Sequence, residues 1–464
     1  MKSRETSDVW IVGLGIAASC AVAAALAWEH IGLFQSLVFI LGLAGLVGLI
    51  NIPVHWLPAV ALVAFAVVPG QLVPTAYVGR AVTPGTIVLI IWVLKVFLTK
   101  RKLRIYNPFV LANIFALLIW SAATSYLSEL SEVSFAWSVS MMVAVLLPVL
   151  LGSEREADLV ARTWILLGAV LSVYTIIEAV LGRNIVFGYL ADNDVQHWSV
   201  YRAYASFGHP LLAGTFFVAT FGLALGMWLR GNRQKWLLSI AILSLIAVFA
   251  TISRGAIVTA VVVVAAFAII ALLRRSTTVP RALSVVGIIV VSVFAAMNTP
   301  RLVERIFSVE GSRSNDARRS GFDVALVGAD HFHWLGAGPA MSQRAVAQFN
   351  VTQVRIESAY LQLLLSVGLP GLAFFSVAMV GAGCIAVRDG RLGALGALLG
   401  VLVSIGFYNS IDARWGSHIL IGLALFICLR CSTTRDGGEE NGIRQGSSLL
   451  RREPSPSLDS GAVK

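Results

Sequence analysis

Apolar residues in this chain run on for whole helix lengths instead of alternating or striping as they do around a soluble core. Runs lie near 9–27, 31–50, 54–69, 82–98, 108–126, 133–151, 160–181, 210–229, 236–251, 255–273, 282–297, 357–387, 392–408 and 417–430. Roughly 20 apolar residues cross a bilayer as a helix, and the runs at 54–69 and 417–430 are the shortest of the set. The pattern predicts an all-α, polytopic membrane helical bundle of about 12–14 transmembrane helices. Ten-residue alternating strands do not occur, which excludes a β-barrel. One long stretch departs from the pattern. Residues 298–356 are Arg-rich and punctuated by Gly, and they predict a large loop outside the bilayer. Within it, Asp316–Ala329 predicts a short amphipathic helix with Phe322, Ala325 and Leu326 on one side. Ser342–Phe349 predicts a second, capped by Ser342, and WLGAGPA between them reads as a Gly-rich turn.

Composition agrees: 58% of residues are hydrophobic, 13% are charged and mean hydropathy is +0.83. A soluble domain carries about 25% charged residues, so a water-soluble fold is excluded. The net charge of +11 would point to nucleic acid in a soluble protein, but here Lys and Arg set topology, and no nucleic-acid partner is expected. Basic turns at Lys100–Arg104, at Arg230, Arg233 and Lys235, and at Arg274, Arg275 and Arg281 predict the cytoplasmic side. Both termini then lie in the cytoplasm as well. Met1–Asp8 is short and polar, so no cleavable signal peptide is expected. Twelve basic residues fall on the outer face in this arrangement, all Arg, and seven of them cluster in 298–356, against the topological trend. The expected divisions are N-terminal helices over 1–181, a core over 182–430 that includes the outer loop, and a disordered cytoplasmic tail over 431–464. Cys428 and Cys431 form a CxxC without a second pair or a His, and read as ordinary helix residues.

Four places put polar groups at the outer face. YRAYASFGHP (201–210) carries Arg202 and His209 around a small-residue turn, with Pro210 suited to a helix start. TISRGA (251–256) puts Arg254 in a turn between two hydrophobic helices, where it either snorkels or meets a ligand. Arg318 and Arg319 lie on the first loop helix, as donor forks for phosphate or as a solvated face with an Arg319–Asp323 bridge. RIESAYLQLLLSVGLPG (355–371) sets Glu357 at a helix start, with Tyr360 one turn on. A carboxylate there suits the helix dipole, and it could also take a proton from a sugar hydroxyl. His331 and His333 alternate like a metal pair but lack a completing cluster, so no metal site is expected. Gly336–Ala337–Gly338 lacks the third Gly of a nucleotide fingerprint.

Together these places resemble the O-antigen ligase and O-antigen polymerase superfamily of bacterial envelope proteins. The resemblance rests on RAYASFGHP at a span start, TISRGA between two spans, ARRSGFDVALVGADHFHWLGAGP in the outer loop, and ESAYLQLLLSVGLPG leading back into the membrane. It covers about 200–375. It implies glycan transfer from a polyprenyl-diphosphate-linked donor to a glycan or lipid acceptor, outside the cytoplasmic (inner) membrane, without metal or other cofactor. Other polysaccharide-assembly proteins are possible partners. The resemblance implies Arg202, Arg254 and either Arg318 or Arg319 as diphosphate holders, with His209 and Tyr360 beside the glycan and Glu357 as candidate base. Ligases of the family place His-Asn where this chain has Glu357 and Ser358, a departure that points to the polymerase or exopolysaccharide branch. Two other classes compete: a lipid-linked glycan flippase or transporter, marked by Glu178 and Lys95 within spans, and a non-catalytic scaffold of an envelope-synthesis complex.

Overall fold

The computed structural model describes residues 48–49, 51–68, 83–99, 107–188, 200–230, 235–274, 287, 309–350, 354–412 and 415–431. The predicted spans near 9–27, 31–50 and 282–297 lie almost wholly outside these residues, as do the Arg301 and Arg305 part of the loop and the tail. The chain divides into two units, Met1–Cys431 and Ser432–Lys464, and only the first contains described residues.

Each of the other eleven predicted runs is helical. The helices are α1 (Leu57–Val67), α2 (Pro84–Leu98), α3 (Pro108–Tyr126), α4 (Ser131–Leu151), α5 (Glu154–Leu181), α6 (Pro210–Leu229), α7 (Lys235–Ala250) and α8 (Arg254–Arg274). Then follow α9 (Val309–His331), α10 (Ser342–Ala345), α11 (Ala359–Ser366), α12 (Gly368–Arg388), α13 (Leu392–Ile405) and α14 (Gly416–Arg430). Among the described residues, six helices are long and apolar enough to cross a membrane, and five shorter apolar ones accompany them. Among the described residues there is no strand. The protein is an all-α polytopic bundle.

Local sequence explains where the helices begin. Pro84, Pro108 and Pro210 sit in the first turn, where a missing N–H is harmless. Thr83 and Asn107 accept from the backbone N–H groups of Thr86 and Val110, and Ser153 forms a reciprocal capping box with Glu156. Glu156 is fully buried and also accepts from Trp92 Nε1 at 3.1 Å, which ties α5 to α2.

Two proline and glycine effects shape the core. Pro148 cannot donate to the Ala144 carbonyl, and α4 widens into a π-turn over Met142–Leu146. Gly422 of the enclosed helix α14 packs onto that carbonyl, where a Cβ would lie 1.7 Å from the oxygen. The predicted single span 357–387 is instead two helices. Val367 and Gly368 break it: Gly368 takes φ +70°, Trp120 Nε1 donates to the Val367 carbonyl at 2.6 Å, and the Leu369 N–H turns to Trp334 O at 2.8 Å.

Helices α6 and α13 pack backbone against backbone along much of their length. Gly222 meets Gly396, Gly226 meets Leu392 and Gly393, and Gly400 meets Ala219. The order of these contacts makes the pair antiparallel, and small residues on both sides let the backbones touch. The start of α6 and the end of α13 therefore share one end of the bundle. A Cβ on Gly222 would lie 2.4 Å from the Gly396 oxygen. Gly222→Val should lower stability by about 1–3 kcal/mol, read as a fall in the thermal midpoint of detergent-purified protein. Gly383→Ala is the contrast: its nearest neighbour is Leu395 Cδ1 at 3.6 Å, and that variant should melt at or slightly above wild type.

Candidate functional site

At the shared end of α6 and α13, His209 is the residue before α6. Its Nδ1 accepts from the Leu211 N–H at 3.2 Å, so the proton of a neutral ring sits on Nε2. The ring stacks on Tyr408 with centroids 6.2 Å apart and planes 10° apart. Tyr408 belongs to the 406–412 segment that leaves α13, and its hydroxyl meets Ser417 Oγ at 3.1 Å.

Arg202 and Arg254 stand on adjoining turns. Arg202 is buried, and its Nε donates to the Thr251 carbonyl at 3.3 Å, while the Ala203 N–H donates to Ala250 O at 3.3 Å. Three residues after Thr251, partly exposed Arg254 opens α8, whose first turn is capped where Ser253 Oγ accepts from the Ala256 N–H. Ile252 in this turn takes φ +49°, and Ala205 in the Arg202 loop takes φ +48°. A β-branched residue in the left-handed region is strained, by about 1–3 kcal/mol.

Arg318 and Glu357 meet. Arg318 Nε donates to Glu357 Oε2 at 3.1 Å, and both side chains are about one-third exposed, at 31% and 35%. Glu357 lies just before Ser358, the residue that precedes α11, and so outside the helix proper. Among the described residues, no acceptor takes the terminal nitrogens of Arg318. Arg319 is exposed and forms no bridge to Asp323 among the described residues, so the geometry separates two residues that the sequence left equivalent. Tyr360 Oη donates to the Leu402 carbonyl at 2.7 Å, which commits this hydroxyl to holding α11 on α13.

The loop helices depart from the sequence reading in two ways. α9 is longer than Asp316–Ala329, and among the residues whose burial is described its buried positions are Gly321, Ala325, Gly328 and Ala329, with Ala325 and Ala329 against Val346, Ile356 and Leu365. Phe322 and Leu326 point outward, because small residues allow α9 a closer seat than a large apolar face would. Ser342 does not cap the second helix. Met341 precedes α10, which ends at Ala345, and the Ser342 N–H is drawn to Asp412 Oδ2 at 3.3 Å.

Asp412 is the residue that sequence reasoning missed. It is buried, and its Oδ2 also accepts from Ser366 Oγ, while its own N–H donates to Gln362 Oε1 at 3.3 Å. Oδ1 has no hydrogen-bond partner among the described residues. Burial pushes the carboxyl up from 3.8 to about 6, against the hydrogen bonds from Ser342 and Ser366. The available signal was an acidic residue in the short link between two apolar runs. The 406–412 segment also gathers the other parts. Tyr360 lies against Gly406, where a Cβ would stand 3.2 Å from its ring, and Phe407 backs onto Gly255, where the distance would be 2.6 Å.

Among the described residues, no group of three His, Cys, Asp or Glu side chains could hold a metal ion. The arrangement offers arginine forks suited to a phosphate and a partly exposed carboxylate suited to a proton, with the 406–412 segment packed beside Arg254 through Gly255 and one turn from Glu357 through Tyr360. Residues 239–376 match a family model described as O-antigen ligase. No curated protein matches the chain. The matched segment contains Arg254, Arg318, Arg319, Glu357 and Tyr360, and stops short of Arg202, His209 and Asp412.

Asp412 predicts a pH dependence. Between about pH 4 and 6 the folded chain keeps a proton that the unfolded chain has lost, so this stabilisation is present at the acid end and is lost as pH rises through 6. Asp412→Asn places an amide oxygen where Oδ2 sits. Its thermal midpoint in detergent should therefore vary less between pH 4.5 and 7.5 than that of wild type. An unchanged slope would remove Asp412 as its source.

Proposed function

We propose that this multi-pass membrane protein, whose residues 239–376 match a family model described as O-antigen ligase, is a glycosyltransferase acting on a polyprenyl-diphosphate-linked glycan at the outer face of the bacterial cytoplasmic membrane, with both termini in the cytoplasm. The observation that carries the reading is the Arg318–Glu357 pair inside the matched segment. Arg318 holds the carboxylate through Nε and turns its terminal nitrogens to the donor diphosphate. Arg254 and Arg202 stabilise the same leaving group from the adjoining turns. Glu357 accepts the proton of the acceptor hydroxyl. The hydroxyl oxygen then bonds to the anomeric carbon, the bond from that carbon to the diphosphate oxygen breaks, and polyprenyl diphosphate departs with the electron pair.

Arginine supplies the positive charge in this reading, so the reaction proceeds without a bound cation. Glu357 in the place of the ligase His favours polymer extension in surface polysaccharide (exopolysaccharide or O-antigen) synthesis, with a second lipid-linked glycan as acceptor. The transport alternative loses its two span residues: Glu178 accepts three hydrogen bonds from the 201–205 loop, and Lys95 Nζ donates to the Ile52 carbonyl at 2.6 Å.

Purified protein given a polyprenyl-diphosphate-linked oligosaccharide and EDTA should produce a ladder of lengthened lipid-linked glycan by mass. Glu357→Gln should slow turnover by about 10²–10⁴-fold. Arg254→Ala and Arg318→Ala should each lose far more activity than Arg319→Ala. Normal turnover in Arg254→Ala would remove the proposed chemistry, and transfer to a different lipid acceptor would reassign the chain as a ligase.

A further inference from the structure

Glu178 lies near the end of α5, a helix otherwise apolar through most of its second half, and the residue is 1% exposed. A carboxylate in such a place is costly without partners, and it has three. Oε1 accepts from Tyr201 Oη at 2.9 Å and from the Tyr204 N–H at 3.0 Å, and Oε2 accepts from the Ala205 N–H at 2.8 Å. The 201–205 loop wraps around this one group, with Ala205 at φ +48° so that successive N–H groups converge on it. Asn184 closes the far side: its Nδ2 donates to the Ala205 carbonyl at 2.7 Å, while its Oδ1 accepts from Tyr174 Oη and from the Phe187 and Gly188 N–H groups.

Arg202 and Ala203 lie between the residues Glu178 holds. They face the other way, to the Ala250 and Thr251 carbonyls at the turn that leads to Arg254. The loop is thus stitched to α5 through Glu178 and to the Arg254 turn through Arg202.

We infer that Glu178 is a positioning residue for the proposed transfer: it fixes the register of Arg202 against Arg254 and thereby the geometry of the diphosphate pocket. This rests on the assignment of Arg202 and Arg254 to the donor diphosphate. Glu178 touches no substrate. It acts as an acceptor for three donors, and no other common side chain of its length offers only acceptors. Glu178→Gln keeps the shape but turns an NH₂ toward a backbone N–H, which leaves at least one buried donor unpaired.

Detergent-purified full-length protein with a polyprenyl-diphosphate-linked oligosaccharide tests this. Glu178→Gln should lower kcat/KM by about tenfold or more, and amide exchange at Tyr204 and Ala205 should accelerate while the α6–α13 amides keep their protection. Glu178→Asp, which retains two acceptors, should recover part of both. In an Arg202→Lys background the further loss from Glu178→Gln should shrink to less than about threefold, because the residue acts through Arg202. Wild-type kcat/KM in folded Glu178→Gln overturns the inference, as does a loss that adds in full to that of Arg202→Lys. Wild-type turnover in Arg202→Ala overturns the role of Arg202 itself and the inference with it, whereas accelerated exchange without kinetic effect overturns the inference and leaves the transferase reading standing.

Discussion

The rest of the structure depends on the backbone contact between α6 and α13, where Gly222 and Gly396 face each other with no side chain between them. Inside a bilayer, lipid tails are as apolar as leucine, so helices are held by close packing and not by escape from water. Gly226, Gly393, Gly400 and Ala219 extend the contact along both helices. The antiparallel direction it imposes brings His209 at the start of α6 to Tyr408 just beyond α13. A side chain pushed into this seam would separate the two helices and displace the polar segments at their ends.

Those segments obey a second constraint: a buried polar group must find a partner, and here the partner is nearly always backbone or hydroxyl. Glu178 takes two amide N–H groups, Arg202 and Tyr360 find carbonyls, and Asp412 takes Ser366 and the Ser342 amide. The left-handed residues Ala205 and Ile252 fall within the two arginine turns, where the surrounding packing over-determines the backbone. Rigid turns hold charges in place without reorganisation, which is the condition for electrostatic stabilisation of a leaving group.

The Arg318–Glu357 pair differs in kind. With about a third of each side chain exposed, it contributes on the order of 0–1 kcal/mol to folding, so stability is a weak reason for its presence. The carboxylate is held by Nε of the guanidinium, which leaves the terminal nitrogens without an acceptor among the described residues, and under the proposed transfer the two groups would act together.

The long apolar runs determined by themselves that the chain is an all-α membrane bundle, because helix-length hydrophobicity has few other outcomes in a lipid solvent. They marked eleven helical runs among the described residues, one of them a broken pair, and Pro210 was legible as a helix start. Arg254 and Glu357 were legible as charges at the ends of spans. The tertiary structure decided what linear patterns do not encode. Arg318 and Arg319 are neighbours in sequence, yet helical rotation gives only Arg318 to Glu357. The break at Gly368 came from contacts with Trp120 and Trp334, and the inward face of α9 came from the space its small residues leave. Asp412 drew no reading from the sequence, and Glu178 was a mark of the transport alternative. Each acquires a role only when segments far apart in the chain supply its hydrogen-bond partners, and that meeting is set by how the glycine faces pair the helices.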